Sequence, residues 1–318
     1  MIIKFGVTKK DMEYILLIVG FVLLIKGADV FVDGSFSVAR ILKVPQFIIG
    51  LTVVSFGTSA PEAAVSISAG FAGSNEICLG NVIGSNMFNL LVVVGVCAAI
   101  SAMPVERDIK RFDLPFSIVI TAVVLALSID KRLSRIDGII LIALFASYLF
   151  LTIRKAVKNK TAEEDDSKKL SAVKSIIFIV IGLAAVVVGG DMVVDNAVII
   201  AEKLGMSQTL ISLTIIAMGT SLPELVTSIV ASAKGENGLA LGNVVGSNIF
   251  NLLFVLAFSV TLNPVPVKMS SVIDLSILAA VSIIMLLMLF RKDKYSRPKG
   301  VFALLMYIAY AVYIFIRN

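Results

Sequence analysis

Apolar runs of about 20 residues follow one another along the chain between short polar breaks, and a run of that length crosses a bilayer as a helix. After a polar start holding Lys4, Lys9, Lys10 and Asp11, the runs cover Glu13–Val32, Gln46–Gly70, Ile77–Met103, Phe112–Ile129 and Ile136–Ile153. A polar stretch from Arg154 to Lys174 interrupts them. Five more runs follow, at Ser175–Val194, Gln208–Ala233, Leu239–Leu262, Val272–Phe290 and Gly300–Ile316. The pattern predicts an all-α integral membrane protein with ten transmembrane helices, five plus five. The first run is long and lacks a small-residue cleavage pattern, so it reads as a span.

The chain also repeats itself. Adding 162 to a position in the first half lands on its counterpart in the second. Gly57 maps to Gly219, Pro61 to Pro223, Glu62 to Glu224, Gly80 to Gly242, Asn89 to Asn251 and Pro104 to Pro266. The same offset pairs Asp29 with Asp191 and Asp33 with Asp195. Shared apolar composition does not produce matches at so many polar positions; duplication does. The repeats occupy residues 1–153 and 175–318, with 154–174 as a linker. An odd number of spans per half turns the second half upside down. Two inverted-topology five-helix repeats place a transporter's site at their interface near the bilayer midplane. Channels are also built from inverted halves, so symmetry alone leaves that choice open.

Composition narrows the chemistry. The chain of 318 residues is 58% hydrophobic and 16% charged, with two cysteines, no histidine and no tryptophan. Cys78 and Cys97 lie too far apart on one helical run to form a disulfide. Without histidine, a site must be built from carboxylates, amides, hydroxyls and carbonyls, hard donors suited to Na⁺, Mg²⁺ or Ca²⁺. The net charge of +6 bears on orientation and not on nucleic acid. The loops after odd-numbered spans hold 18 Lys and Arg, against 9 in the termini and remaining loops. The positive-inside rule then puts the linker in the cytoplasm and both termini outside the cell membrane. The acidic run Glu163–Asp166 reads as solvated linker. The bilayer is the expected partner of a chain that works as a monomer and needs no cofactor.

A carboxylate inside an apolar span costs ~2.5–3.5 kcal/mol on insertion scales, so it marks a protein interior or an aqueous path. This chain has two in register, in Gly57-Thr58-Ser59-Ala60-Pro61-Glu62 and Gly219-Thr220-Ser221-Leu222-Pro223-Glu224. In a helix, Thr58 and Glu62 would share a face, and Pro61 would leave the Gly57 carbonyl without its donor. A cation is the natural occupant of such a carbonyl. The next span adds Gly80-Asn81-Val82-Ile83-Gly84-Ser85-Asn86-Met87-Phe88-Asn89 and its twin Gly242–Asn251. Ser85 and Asn89 share a face, as do Ser247 and Asn251, and they complete a shell that two carboxylates cannot fill. Calcium takes 6–8 oxygens. Gly80 and Gly84 form a stripe that admits a neighbouring helix. Asn81 and Asn86 read equally well as ligands or as polar glue between helices.

The doubled Gly-Thr-Ser-x-Pro-Glu followed by Gly-Asn-x-x-Gly-Ser-Asn-x-x-Asn resembles the two alpha repeats of the sodium/calcium exchanger family, over essentially the whole membrane portion. The resemblance implies a ten-helix fold and antiport of Ca²⁺ against Na⁺ by alternating access. It places ligands on Thr58, Ser59, Glu62, Ser85 and Asn89, and on Thr220, Ser221, Glu224, Ser247 and Asn251. It adds the backbone carbonyls of Ser55 and Ala217. Asn251 stands where several members carry an Asp, which puts potassium co-transport in doubt. A proton/calcium antiporter of the same superfamily and a cation channel are the alternatives. An intramembrane aspartyl protease is disfavoured, because Gly189-Gly190-Asp191 lacks the intervening residue of its signature. The pairs Asp29/Asp33 and Asp191/Asp195 read as helix-end carboxylates, and Lys26, three residues before Asp29, as a local ion pair or a snorkelling side chain.

Overall fold

The computed structural model describes residues 12–71, 75–158, 170–206, 215 and 217–317. It is helical almost throughout. Helix α1 is Met12–Leu42, α2 Gln46–Thr58, α3 Ala60–Phe71, α4 Asn75–Phe88, α5 Val94–Ile100, α6 Leu114–Leu127 and α7 Arg135–Lys158. The second half holds α8 Ala172–Lys203, α9 Leu222–Ala233, α10 Asn237–Phe250, α11 Leu256–Leu262, α12 Met269–Leu287 and α13 Arg297–Arg317. The π-turns Asn89–Val93 and Asn251–Val255 join α4 to α5 and α10 to α11 at positions related by the repeat. Among the described residues, seven helices are long and apolar enough to cross a bilayer, or eight with α2 and α3 as one bent span. The expected fourth span is α6 led in by the π-turn Ile109–Asp113, which carries Lys110, Arg111 and Asp113. The expected seventh falls partly on 207–214 and 216, outside the described residues.

In an 18-residue apolar stretch of Asn237–Leu262 and of Cys78–Ile100, 83% and 72% of the residues are buried, against 11% in that of Arg297–Arg317. The helices carrying the doubled asparagine motif are therefore the centre of the bundle. Exposed Ile18, Val180, Phe302 and Leu305 belong to the outer helices, where lipid takes the place of a protein neighbour.

Helix α1 packs along α8, its counterpart under the repeat, and the two run antiparallel. A methyl added to Gly20 would meet Met192, one on Gly27 would meet Ala185, and one on Gly34 would meet Phe178. At Gly182 it would lie 2.5 Å from the Phe31 nitrogen, so only glycine permits this approach. Both helices outrun the apolar runs that predict them. Helix α1 passes Val32 and stops only at Leu42, where Lys43 turns left-handed (φ 55°) and Val44 N–H reaches back to the Ala39 carbonyl. Asp29, Asp33, Asp191 and Asp195 thus lie within helices, which corrects the helix-end reading. Asp29 and Asp33 pair with Lys234, 2.7 Å from each, and of the two readings of Lys26 the ion pair with Asp29 is not the one found among the described residues.

Helix α7 continues to Lys158 and α8 begins at Ala172, where Ser171 Oγ caps the Lys174 N–H. The rest of the linker, including Glu163–Asp166, lies outside the described residues, as does the polar start. Two short antiparallel ladders have no counterpart in the sequence reading. Met103–Pro104 (β1) pairs with Lys294–Tyr295 (β4), and Arg132–Leu133 (β2) pairs with Val265–Pro266 (β3). Each joins the two halves, and the 162-residue offset turns one into the other.

Candidate functional site

The helix breaks at Ser59, whose backbone (φ −84°, ψ 9°) leaves the helical register, and α3 departs at 48° to α2. Ser221 does the same in the second half (φ −91°, ψ 7°). The break accommodates the prolines. Pro61 and Pro223 fall in the first turn of the downstream helix, where a missing N–H costs little. Glu62 and Glu224 follow in that turn, where the positive end of the helix dipole favours a carboxylate.

The break also redirects the hydroxyls. An unbroken helix would set Thr58 and Ser59 beside Glu62; instead each copy serves the carboxylate of the other. Ser59 Oγ donates to Glu224 Oε1 at 2.8 Å, and Ser221 Oγ donates to Glu62 Oε1 at 3.0 Å. Ser85 Oγ approaches Glu62 Oε1 at 3.5 Å and Ser247 Oγ approaches Glu224 Oε1 at 3.4 Å. Ser55, Thr58, Ser59, Glu62, Ser85 and Asn89 are all buried, as are Ser221, Glu224, Ser247 and Asn251. The structure brings these predicted side chains to one locus between the halves. The Ser55 carbonyl accepts Ser59 N–H at 3.0 Å and, at 3.5 Å, the Thr58 hydroxyl. Ala217 opens a single helical turn, Ala217–Gly219, ahead of the second break.

Several oxygens at this locus have no donor. Among the described residues nine buried side-chain N or O atoms lack a hydrogen bond, and five are Glu62 Oε2, Glu224 Oε2, Asn89 Oδ1, Asn251 Oδ1 and Thr220 Oγ1. A buried unpaired polar atom costs about 1–3 kcal/mol, and a charged one more. Concentrating that cost on the predicted ligands fits a site that a cation completes. Among the described residues no Lys or Arg pairs with either carboxylate, and no cluster of three or more acidic, Cys or His residues is present. The donor set is two carboxylates with neutral oxygens, suited to a hard cation.

The remaining motif asparagines act between helices. Asn81 Nδ2 donates to Ser66 Oγ and Asn243 Nδ2 to Ser228 Oγ, both at 3.0 Å. Thr58 Oγ1 donates to Asn243 Oδ1 at 3.0 Å, a bond its twin Thr220 lacks. Asn86 and Asn248 bond directly to each other's helices. Sequence reasoning left these residues between two roles; their recurrence in both halves was the available signal. A methyl on Gly242 would lie 2.4 Å from the Phe47 carbonyl and one on Gly246 2.7 Å from Leu51, whereas among the described residues nothing lies within 4 Å of one on Gly80 or Gly84. Among the described residues the expected close helix contact is seen at the twins of Gly80 and Gly84. The stretch the offset would bring to Gly80 and Gly84, 209–213, lies outside the described residues.

The pattern of the sodium/calcium exchanger protein family matches this chain twice, over residues 12–154 and 174–316, which are offset by the repeat length. The putative antiporter CaxA of Alkalimonas amylolytica is 36% identical, covering 95% of this chain and 98% of that one. The sodium/calcium exchanger MaX1 of Methanosarcina acetivorans is 31% identical over the same shares of the two chains. Among solved structures, the sodium-calcium exchanger NCX_Mj soaked with zero Na⁺ and Ca²⁺ superposes with a TM-score of 0.84 at 33% identity, covering 95% of this chain and 99% of that one. Matched in both halves and along nearly its whole length, the chain belongs to the sodium/calcium exchanger protein family, whose members are membrane cation antiporters.

Proposed function

We propose that this chain exchanges Ca²⁺ for Na⁺ across the cell membrane by alternating access, through ten spans in two inverted five-helix repeats. The observation that carries the reading is the locus between the halves, where two buried carboxylates with unpartnered oxygens have no basic partner among the described residues. Thr58, Ser59, Glu62, Ser85, Asn89, Thr220, Ser221, Glu224, Ser247 and Asn251 bind the transported ions, with the carbonyls of Ser55 and Ala217. Antiparallel packing of α1 on its own counterpart α8 supports the inversion, because a two-fold axis lying in the membrane plane reverses a spanning helix.

The charges suggest the exchange rule. One Ca²⁺ neutralises Glu62 and Glu224, whereas about three Na⁺ leave one net positive charge, and each charge crossing 100 mV is worth ~2.3 kcal/mol. Shared ligands exclude both cargoes at once, and each in turn permits the change of access. Asn251 keeps the site at two carboxylates, which argues against potassium co-transport.

Reconstituted protein is expected to take up Ca²⁺ when a Na⁺ gradient is imposed and not with a pH gradient alone, and Glu62→Gln and Glu224→Gln should abolish uptake. Uptake driven by pH would favour a proton/calcium antiporter, and flux without a counter-ion a channel. A Ca²⁺ flux insensitive to clamped voltage would remove the electrogenic stoichiometry.

A further inference from the structure

We infer that Asn86 and Asn248 are positioning residues whose amides lock the two halves together and turn the side-chain oxygens of Asn89 and Asn251 into the cation cage. The inference rests on the ligand assignment proposed above.

Four hydrogen bonds carry it. Asn86 Nδ2 donates to the Asn248 backbone carbonyl at 3.1 Å, and Asn248 Nδ2 returns the bond to the Asn86 carbonyl at 3.2 Å. Each side-chain oxygen then receives the amide of the other half: Asn251 Nδ2 donates to Asn86 Oδ1 and Asn89 Nδ2 donates to Asn248 Oδ1, both at 3.1 Å. The result is a closed girdle with the symmetry of the repeat. Its four members are buried.

An amide has two ends, and the girdle decides which one faces the cage. Asn89 and Asn251 spend their N–H groups on the opposite half, and their Oδ1 atoms are the ones left buried without a donor. Flipping either amide would set its oxygen against another oxygen and aim N–H groups at a cation. Both residues open a π-turn: Val94 N–H bonds the Asn89 carbonyl and Leu256 N–H bonds the Asn251 carbonyl, each five residues on. Such turns recur at functional sites. The girdle also ties the fate of one half's ligand to the other half's helix.

Calcium affinity of purified full-length protein, read from Ca²⁺-dependent thermal stabilisation and from the KM of uptake, tests the assignment. Asn86→Ala and Asn248→Ala are each expected to weaken affinity about tenfold, the low end for residues that orient metal ligands, with the maximal rate changed less than KM. The pairing across halves is the sharper readout. Asn86→Ala should add little to Asn251→Ala, whose ligand is already gone, but should multiply the loss caused by Asn89→Ala. The reverse pattern, or single variants that bind Ca²⁺ like the wild type, would overturn the girdle. If Asn86→Ala does not fold, Asn248→Ala gives the same test with the halves exchanged: it should add little to Asn89→Ala and multiply the loss caused by Asn251→Ala, and the reverse pattern would also overturn the girdle. Wild-type protein without Ca²⁺ stabilisation defeats the exchanger reading itself, whereas normal wild-type binding with the wrong pairing defeats the girdle alone.

Discussion

Ser59 and Ser221 cross over: each holds the carboxylate that belongs to the other half. Removing Ser59 takes away the shorter of the two serine hydroxyl contacts on Glu224 Oε1 among the described residues and leaves the 3.4 Å approach of Ser247. A hydrogen bond to a charged group contributes about 1.5–3 kcal/mol, so Ser59→Ala should raise the KM for Ca²⁺ by about tenfold or more. Ser59→Thr, which keeps the hydroxyl, should recover most of the loss, and Ser59→Ala with wild-type KM would show that the crossing is incidental. The identities of these residues were legible in the sequence because a doubled carboxylate in an apolar run is too costly to be idle. Their partners were not. Helical spacing assigns Thr58 and Ser59 to Glu62, and only the break at Ser59 sends the hydroxyl across the interface.

At the scale of elements, apolar run length located the helices and misplaced their ends. The first apolar run ends at Val32, yet Ser35 and Ser37 beyond it are buried against the fold and α1 runs on to its left-handed stop at Lys43. The extra turns let Lys234, just past α9, clamp Asp29 and Asp33. Burial alone would lower the Lys234 pKa; the hydrogen bonds and charges of the two aspartates more than reverse this and raise it above the usual lysine value. The proton is therefore held more tightly in the folded state. The stability it confers is full below the unfolded pKa of about 10.4 and is lost as pH rises through the raised value. Both acids are about half exposed, so Lys234→Met should cost under ~1 kcal/mol in the melting of purified protein. That deficit should hold from neutral pH to about pH 10 and shrink above it. A deficit that grows in alkali would refute the clamp. The repeat places Ala72 opposite Lys234, so the sequence gives Asp191 and Asp195 no equivalent lysine.

At the scale of the whole molecule, contacts that the 162-residue offset interchanges tie the two halves together: α1 on α8, the asparagine girdle, and the two ladders. The ladders were illegible in the sequence, since two-residue strands leave no alternation to read. They nevertheless give the inversion a direct test. Arg132 lies after the fourth expected span and Lys294 after the ninth, and both are exposed on ladders that the repeat interchanges. If the halves are inverted, the ladders occupy opposite faces of the membrane. The excess of Lys and Arg in the loops after odd-numbered spans then puts Lys294 in the cytoplasm and Arg132 outside. The native thiols, Cys78 and Cys97, are buried, so an introduced cysteine stands out against little background. In intact cells, a membrane-impermeant thiol reagent should label Arg132→Cys at once and Lys294→Cys only after permeabilisation. Labelling of both from outside would place the ladders on one face, which two inverted halves cannot do. Labelling in the opposite order would keep the inversion and reverse the protein in the membrane, moving both termini to the cytoplasm.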